Sequence, residues 1–239
     1  MRQENVILFA KKIVKKSPKL KFWLGCYVEY FYQDYSGLKV FLKKNKDKRF
    51  KVNIGSGSAL DRHDFINVDI SEFPGVHVRG DTHHLPFKDN SIDSILCEQM
   101  MEHIQNPKKM VSEFLRILAP KGEIYITAPF VYPYHGAPID MNRWTLDGLK
   151  HFMEGFQVHM AGVTSGPTTA LVETFHEWIS ILFSFNSERI HQVVYLLILP
   201  FVKPFKVIDL ILLNKFKMAH RLAGVLYFYG KKPSGETQE

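Results

Sequence analysis

From residue 51 onwards, the chain consists of short apolar runs that each end in a turn and that alternate with helical patterns. Strands that alternate with helices pair into a parallel sheet whose two faces the helices cover. This alternation constrains the fold to the α/β class. We predict strands over 51–55, 65–70, 76–81, 91–99, 123–130, 156–163 and 222–232, and helices over 107–118 and 145–154.

The segments that flank this core differ from it in composition. Lysines stand opposite apolar residues at helical spacing near the N-terminus, most clearly over 5–16, and aromatic residues mixed with lysines over 20–45 predict more helix. The predicted parts are a basic helical N-terminal extension (1–50), a cofactor-binding core (51–164), an apolar helical insertion (165–221), a closing strand (222–232) and a flexible tail (233–239).

Formal charge is distributed unevenly along the 239 residues. Residues 1–51 carry a net charge of +10 and residues 203–239 a net charge of +4, whereas residues 52–202 carry −7. Basic ends suit an anionic surface or an anionic acceptor, and an acidic centre does not suit a groove for nucleic acid. We therefore expect no nucleic-acid partner.

The sharpest local motif is VNIGSGS, in which an apolar strand runs into Gly55-Ser56-Gly57. Two glycines let the backbone turn tightly and approach a ligand closely. Asp69 follows twelve residues after Gly57, at the end of the next strand, where a carboxylate can accept hydrogen bonds from both hydroxyls of a ribose. The third position of the dinucleotide motif GxGxxG is Leu60, which argues against a pyrophosphate cradle.

Four segments then follow in order: NIGSGS, NVDI, GDTHHLPFKDNSIDSILCEQMMEHI and EFLRILAPKGEIYITAPF. Together they resemble the class I S-adenosylmethionine-dependent methyltransferases, most of all the small-molecule branch often called type 11. The resemblance implies a Rossmann-like, seven-stranded, mostly parallel sheet whose last strand runs antiparallel between strands five and six. It also implies S-adenosylmethionine as the cofactor. The sequence departs from the family at Ser58, where many members have a third glycine, and in a shortened first helix.

The resemblance also assigns residues to the cofactor. The glycines would approach its methionine end, Asp69 would hold the ribose hydroxyls, and Asp81 with the Thr82 backbone would meet the adenine amino group. Leu85 would pack beneath the adenine or the strand, and Glu98 and Gln99 would flank the methionine moiety. The complete implied set is Gly55, Ser56, Gly57, Asp69, Ile70, Asp81, Thr82, Glu98 and Gln99.

Two groups of residues are candidates for the acceptor side, because ligands of such sheets lie beyond the carboxyl ends of the strands. The first group is Glu98, Glu102 and His103, which follow strand four. A histidine has the right pKa range for a general base, and a base is needed where a hydroxyl, an amine or an acidic carbon must lose a proton. A histidine at this position also often orients a loop by hydrogen bonds, so both roles stay open for His103.

The second group lies in PFVYPYHGAPIDMNRWT, directly after strand five. This run resembles a subset of these methyltransferases often encoded among polysaccharide-synthesis genes. Tyrosine and tryptophan can stack on a sugar, and arginine can bind a carboxylate or phosphate; a rigid proline-rich loop with an internal Asp–Arg pair is the alternative. The candidate acceptor-binding residues are Tyr132, Tyr134, Arg143 and Trp144, and the candidate catalytic residues are His103, His135 and Asp140, with His135 favoured over Asp140.

The sequence predicts no metal site. The histidines at positions 63, 77, 83 and 84 lack convincing ligand spacing with a carboxylate partner. The two cysteines, Cys26 and Cys97, lie far apart and form neither a disulfide framework nor a CxxC pair, which indicates a reducing compartment.

The apolar insertion is open to three interpretations: a helical cap on the sheet, a homodimer interface, or a surface that docks on a membrane beside the basic extension. Its most apolar stretch, 193–213, is interrupted by prolines and charges well before it reaches the length of a membrane span. We expect a cytoplasmic protein, with a peripheral position at the inner membrane face as the alternative.

Together these observations predict an S-adenosylmethionine-dependent methyltransferase that acts on a small or glycan-like acceptor. O-methylation of a sugar or a polysaccharide precursor, free or lipid-linked, is the favoured reaction. Two alternatives stay open, namely methylation of a lipid or quinone at the membrane and a non-catalytic partner subunit that binds S-adenosylmethionine.

Overall fold

The computed structural model describes residues 33–57, 62–136, 139–211 and 215–234, and its seven named strands form one sheet. The strands are β1 (Lys51–Ile54), β2 (Ile66–Asp69), β3 (Val78–Arg79), β4 (Ile92–Cys97), β5 (Leu118–Pro129), β6 (Gln157–Ser165) and β7 (Val225–Lys231). The helices are α1 (Ser36–Lys44), α2 (Pro107–Ile117), α3 (Leu146–Phe152), α4 (Pro167–Leu182), α5 (Glu188–Val202) and α6 (Val207–Ile211).

The strands follow the order β3-β2-β1-β4-β5-β7-β6 across the sheet. Strands β1 to β5 pair in parallel, whereas β7 runs antiparallel to both β5 and β6. The Rossmann-like α/β class and the antiparallel last strand are therefore confirmed. The strand order reverses at β1, between β2 and β4, and in such sheets the crevice beyond the carboxyl ends at this point takes the ligand.

The central strands are apolar on both faces because helices cover both faces. All four residues of β1 are buried. Alternate residues of β5 enter two separate clusters, since Ile124 and Ile126 belong to the main core and Tyr125 belongs to a smaller one. In the smaller cluster the Phe41 ring of α1 lies 5.7 Å from the ring of Tyr125, so the described part of the N-terminal extension packs directly on the sheet.

Two core helices begin where the sequence provides a cap. The Asn106 side chain accepts a hydrogen bond from the Lys109 backbone N–H, and Pro107 occupies the first turn of α2. The Thr145 hydroxyl accepts a hydrogen bond from the Gly148 N–H at the start of α3.

The insertion leaves and rejoins the sheet at one place. Ser165, the last residue of β6, pairs with Val225, the first residue of β7, and the Gly224 N–H donates a hydrogen bond to the Ser165 carbonyl at 2.8 Å. Helices α4, α5 and α6 lie between these two residues in the chain. The insertion is therefore a helical unit attached to one edge of the crevice.

Buried charges hold the helices of the insertion together. The Glu173 carboxylate of α4 pairs with the ammonium groups of Lys203 and Lys206, and all three side chains are at most 5% exposed. The Asp209 carboxylate of α6 accepts hydrogen bonds from the backbone N–H groups of Thr168 and Thr169 at the start of α4. Polar contacts, in addition to apolar packing, thus fix the relative positions of α4 and the segment that follows α5.

The outer face of the insertion is apolar and exposed. Helix α5 has no buried residue, and its Leu197 and Phe201 are 66% and 74% exposed. Within the described ranges, none of the helices combines the length and the hydropathy that crossing a bilayer requires.

Some element boundaries differ from the sequence prediction. Strand β5 begins at Leu118 instead of residue 123, because Leu118 already pairs with Ile92. Pro120, Lys121 and Gly122, which separate the predicted helix over 107–118 from the predicted strand over 123–130, lie inside β5, where Lys121 has a φ of 64°. Strand β7 begins at Val225 instead of residue 222, because a 3₁₀ turn covers Ala219–Leu222. The predicted helix over 5–16 lies outside the described residues, as does most of the tail.

Candidate active site

The glycine turn after β1 leaves space on the side that faces the crevice. Gly55 and Gly57 have φ angles of 70° and 51°, values that favour glycine. A Cβ atom at Gly55 would lie 2.4 Å from Cγ of Met100, whereas a Cβ atom at Gly57 would meet no atom of the described residues within 4 Å. Packing therefore requires a glycine at position 55, and the described residues leave space beside Gly57.

Asp69 lies at the end of β2, beside this turn. One carboxylate oxygen accepts a hydrogen bond from the Gly57 N–H, and the other accepts one from the Ser71 N–H, both at 2.8 Å. Each oxygen of an ionised carboxylate has about two acceptor positions, so both can accept a further bond from a ligand hydroxyl. Ile70, the next residue, has 63% of its surface exposed and offers an apolar side chain at the same strand end.

The segment after β3 contributes a turn with a buried polar atom. The Asp81 carboxylate accepts hydrogen bonds from the His83 backbone and ring; the backbone bond is the main cause that lowers the pKa of Asp81. The Thr82 hydroxyl is buried and has no hydrogen-bond partner among the described residues. Leu85 is buried in the main core.

The end of β4 brings a strained residue to the same crevice. Gln99 has a φ of 50°, a conformation that is uncommon for a non-glycine residue and concentrates at functional sites. Its N–H donates to the Thr127 hydroxyl of β5 at 3.0 Å. The neighbouring Glu98 pairs with Arg62 at 3.0 Å. The sequence did not single out Arg62, which brings a positive charge to this edge of the crevice.

The loop after β5 packs on the 3₁₀ turn after β4. The Met141 N–H donates to the Glu102 carbonyl at 2.8 Å, and the Asn142 amide donates to the Ile104 carbonyl at 2.9 Å. Because these bonds join residues that are 39 and 38 positions apart in the chain, the two segments share one wall of the crevice.

Three side chains converge at this junction, and we call Glu102, His103 and His135 the carboxylate–histidine cluster. The distance from Oε1 of Glu102 to the Nε2 atom is 3.8 Å for His103 and 3.6 Å for His135. The Glu102 side chain is fully buried, and neither of its oxygens has a hydrogen-bond partner within the described ranges. The Glu102 carboxylate raises the pKa of His135 above its ordinary value, although burial opposes this effect.

Asp140 orients the loop instead of facing the crevice as a free base. Both of its oxygens pair with the Arg143 guanidinium, and one of them also accepts a hydrogen bond from the His135 backbone N–H. The Arg143 hydrogen bonds lower the pKa of Asp140 to about 2, so this carboxylate is a poor proton acceptor. The arginine also contacts the carbonyl of Pro133. The expected Asp–Arg pair within the loop is thus present.

A polar pocket of about 490 Å³ lies between this loop, the carboxyl ends of the strands and the insertion. His103, His135 and Tyr132 line one side, and Gln99 lines it from β4. The insertion contributes residues that the sequence analysis did not single out, because they lie 30 or more positions further along the chain: Glu173, Glu177, Tyr195 and Lys206.

Two predicted acceptor residues, Trp144 and Tyr134, differ in their relation to the pocket. Trp144 is 9% exposed and belongs to the main core, where its ring centroid lies 6.2 Å from that of Phe152. It does not line the pocket, so the structure gives Trp144 a packing role in place of the predicted acceptor contact. Tyr134 does line the pocket, but 74% of it is exposed.

Comparison with known proteins agrees with this geometry. Residues 55–126 match a family model described as "Methyltransferase domain". A protein of Methanocaldococcus jannaschii called uncharacterized is 30% identical over 126 residues, which are 52% of this chain and 46% of that protein. A demethylmenaquinone methyltransferase of Renibacterium salmoninarum is 36% identical over 59 residues, 25% of this chain and 24% of that one. The matched region spans less than half the length of either relative.

Solved structures extend the similarity to most of the described fold. A candidate methyltransferase of Bacillus halodurans has a TM-score of 0.51 at 15% identity, covering 83% of this chain and 99% of that one. The core of this chain has the fold of a class I methyltransferase. The [4+2]-cyclase SpnF has a TM-score of 0.53 at 15% identity, covering 82% of this chain and 80% of its own, so the methyltransferase fold alone does not fix the reaction.

The family match supports S-adenosylmethionine as the cofactor of this methyltransferase fold, and the residues at the crevice fit it. The described residues leave space beside Gly57, and Asp69 retains acceptor positions for the ribose hydroxyls. The unpartnered Thr82 hydroxyl and the exposed Ile70 lie in the segments that would meet the adenosine. The roles of the individual cofactor residues stay predictions.

Proposed function

We propose that this chain transfers a methyl group from S-adenosylmethionine to a hydroxyl group of a sugar-like acceptor. The observation that carries the proposal is the polar pocket beside the carboxylate–histidine cluster. Sugars are bound by convergent polar groups together with aromatic rings, and this pocket has two carboxylates, two amides, a lysine and three tyrosines in its walls.

Residues on one side of the crevice bind the cofactor, and residues on the other side bind the acceptor. When bound, S-adenosylmethionine supplies a methyl group on a sulfonium centre. Asp69 and the glycine turn hold the nucleoside side, and the pocket aligns the acceptor, which is the main task of a protein in such a transfer. We assign removal of the acceptor proton to the carboxylate–histidine cluster, whose two histidines line the pocket.

A lipid-linked sugar is the second candidate acceptor, and the outer face of the insertion favours it. Exposed apolar side chains on α5, Leu197 and Phe201 among them, occur in the same insertion as the exposed basic residues Lys215, Lys217 and Arg221. Apolar residues combined with basic ones suit the surface of an anionic bilayer. A membrane-bound carrier would bring its sugar to the pocket from this side.

Calorimetric titration with S-adenosylmethionine is the first test of this proposal. We expect the full chain to bind the cofactor and Asp69→Asn to bind it about 10- to 100-fold more weakly, because a hydrogen bond to a charged group contributes about 1.5–3 kcal/mol. Asp147→Asn is the matched control, since the Asp147 side chain is 95% exposed. Absence of binding by the wild-type chain would contradict the proposal.

Radiolabelled methyl transfer to methyl glycosides of hexoses, deoxyhexoses and uronic acids tests the acceptor class. We expect transfer to at least one of these glycosides, and loss of that transfer in His135→Gln without a change in cofactor affinity. Transfer to quinones or phospholipids in place of glycosides would support the membrane alternative. Cofactor binding with no transfer to any of these compounds would support a non-catalytic subunit.

A further inference from the structure

We propose that the carboxylate–histidine cluster is a binding site for a divalent transition-metal ion, with Glu102, His103 and His135 as its protein ligands. This inference rests on the proposed function, because the ion would lie in the wall of the acceptor pocket. The sequence predicted no metal site. No local pattern shows that Glu102 and His103 lie close to His135, because the three residues meet only when the loop after β5 packs on the turn after β4.

The three residues bring their ligand atoms close together. One ligand atom from each of the three residues lies within 4.8 Å of the other two. Bonds of about 2.0–2.2 Å to nitrogen and oxygen bring two ligand atoms to roughly 3–3.5 Å from each other. The 3.6 Å and 3.8 Å from Glu102 Oε1 to the two Nε2 atoms are slightly longer than this. The three side chains would draw together to close around an ion.

The Glu102 carboxylate is enclosed without hydrogen bonds. Its side chain is fully buried, yet both of its oxygens are without hydrogen-bond partners among the described residues. A buried carboxylate is costly unless a cation or hydrogen-bond donors compensate it. The two imidazoles lie at ion-pair distance from Oε1, 3.8 Å and 3.6 Å, which is beyond hydrogen-bond range. A bound cation would satisfy the carboxylate directly.

The groups behind the histidines also suit metal ligands. The Nδ1 atom of His103 lies 2.5 Å from the Ile139 carbonyl oxygen, so it carries a proton and donates it. Metal-binding histidines usually direct their second nitrogen to a carbonyl or a carboxylate in this way, which fixes the tautomer that leaves Nε2 free for the ion. The Nδ1 atom of His135 lies 3.4 Å from a carboxylate oxygen of Asp140, an ion-pair distance without a hydrogen bond among the described residues.

The ligand set indicates which ions would bind. Two imidazole nitrogens and one carboxylate oxygen suit Zn²⁺, Fe²⁺, Co²⁺ or Mn²⁺ better than Mg²⁺ or Ca²⁺, which prefer oxygen ligands. Three protein ligands leave coordination positions open towards the pocket, and an acceptor hydroxyl can occupy one of them. The ion would lower the pKa of that hydroxyl. The proton would go to water in the pocket as the oxygen–methyl bond forms and the sulfur–methyl bond breaks.

The test is calorimetric titration of the tag-free full chain, stripped with a chelator, with Zn²⁺ and Co²⁺. We expect one equivalent to bind to the wild type and visible ligand-field bands to develop with Co²⁺. Asp140→Asn removes a residue that supports a ligand, so it should weaken metal binding about 10- to 100-fold. His135→Gln removes a ligand itself and should weaken metal binding by more than that. His151→Gln is the matched control, because His151 also faces a carboxylate, Glu154 at 3.4 Å, but is 83% exposed.

Circular dichroism checks that each variant is folded, and His103→Gln serves as a second ligand variant if His135→Gln is not. Metal binding that is equally tight in the wild type, His135→Gln and His103→Gln would overturn the proposal, and so would a wild type that binds neither ion. Titration of the metal-free chain with S-adenosylmethionine separates the two proposals. A chain that binds the cofactor but no metal refutes only the metal site, whereas a chain that does not bind the cofactor refutes the proposed function.

Discussion

At the scale of single residues, the two glycines of the turn after β1 have different reasons to be glycine. Both have positive φ angles, but only Gly55 is enclosed, by the Met100 side chain. No atom of the described residues would lie within 4 Å of a Cβ atom at Gly57, which is one of the residues predicted to bind the cofactor. Substitution of each glycine by alanine therefore tests packing at Gly55 separately from ligand binding at Gly57.

We expect Gly55→Ala to destabilise the protein more than Gly57→Ala. The added methyl group at Gly55 collides with Met100, and overpacking of this kind costs about 1–3 kcal/mol in addition to backbone strain. Gly57→Ala should cost only the strain, about 1–2 kcal/mol, but should weaken binding of S-adenosylmethionine because the methyl group enters the ligand's space. Urea denaturation and calorimetry measure the two effects. Unchanged cofactor affinity in Gly57→Ala would show that the cofactor does not approach this residue.

At the scale of elements, the insertion depends on one buried ion cluster. Glu173 of α4 faces Lys203 and Lys206 from the segment that follows α5, and all three are buried. Removal of one partner from a buried ionic group leaves an uncompensated charge, which costs about 3–5 kcal/mol. We expect Glu173→Gln to lower the free energy of unfolding by this amount in urea denaturation.

Glu154→Gln is the control for this variant, because the Glu154 side chain is 75% exposed and exposed pairs contribute at most about 1 kcal/mol. Equal effects of the two substitutions would mean that the Glu173 cluster does not hold the helices together.

The same cluster predicts how stability depends on pH. Burial alone would raise the pKa of Glu173, but the charges of Lys203 and Lys206 outweigh it and lower the pKa. When the pKa of a carboxyl group is lower in the folded state than in the unfolded state, its ionised form stabilises the protein at pH values above the unfolded-state pKa. This contribution is lost as the pH falls through the folded-state pKa. We expect the wild type to lose stability below about pH 4 and Glu173→Gln to lack that part of the loss. Parallel pH profiles of the two proteins would contradict this prediction.

The elements also show what a sequence can predict in a chain of this kind. Strands β1, β2 and β4 were predictable because buried parallel strands are continuous apolar runs that end in turns. The start of β5 was not, because Pro120 and Gly122 normally mark a break, whereas here Leu118 already pairs with Ile92 and the pairing resumes at Glu123 after an irregularity. Trp144 was misassigned because an aromatic residue after a strand gives no local signal of which face it packs on.

The candidate site was predictable only in part, for a related reason. Asp69 and the glycine turn belong to one compact motif, so their proximity follows from two adjacent strands. Glu102 and His135 come from different segments, and the distance between them depends on how the loop after β5 packs. The pocket wall that Glu173 and Lys206 contribute depends on tertiary packing of the insertion, which no local pattern encodes.

At the scale of the whole molecule, the exposed apolar face of α5 gives the proposed membrane-bound acceptor a test. We expect the full chain to cosediment with vesicles that contain phosphatidylglycerol and less with pure phosphatidylcholine vesicles, because basic residues add attraction to anionic lipid. The double substitution Leu197→Glu and Phe201→Glu should abolish cosedimentation, since two charges would enter the apolar layer.

Val158→Glu is the control for vesicle binding, because Val158 is 51% exposed on β6, outside the insertion. Cosedimentation that survives the double substitution would exclude α5 as the docking surface. A concentration-dependent dimer that the same double substitution dissociates would identify this face as a homodimer interface instead.

The pairing of Ser165 with Val225 has a consequence for how such a chain can diversify. The insertion starts and finishes at two neighbouring residues that the sheet already holds together, so the sheet does not depend on what lies between them. The cost of closing a loop grows only slowly with its length, and a long helical unit is therefore tolerated there as readily as a short hairpin. Selection could exchange one wall of the acceptor pocket while the part of the chain that binds the methyl donor is inherited unchanged. A chimera that carries another protein's segment between these two residues would be a direct route to a new substrate.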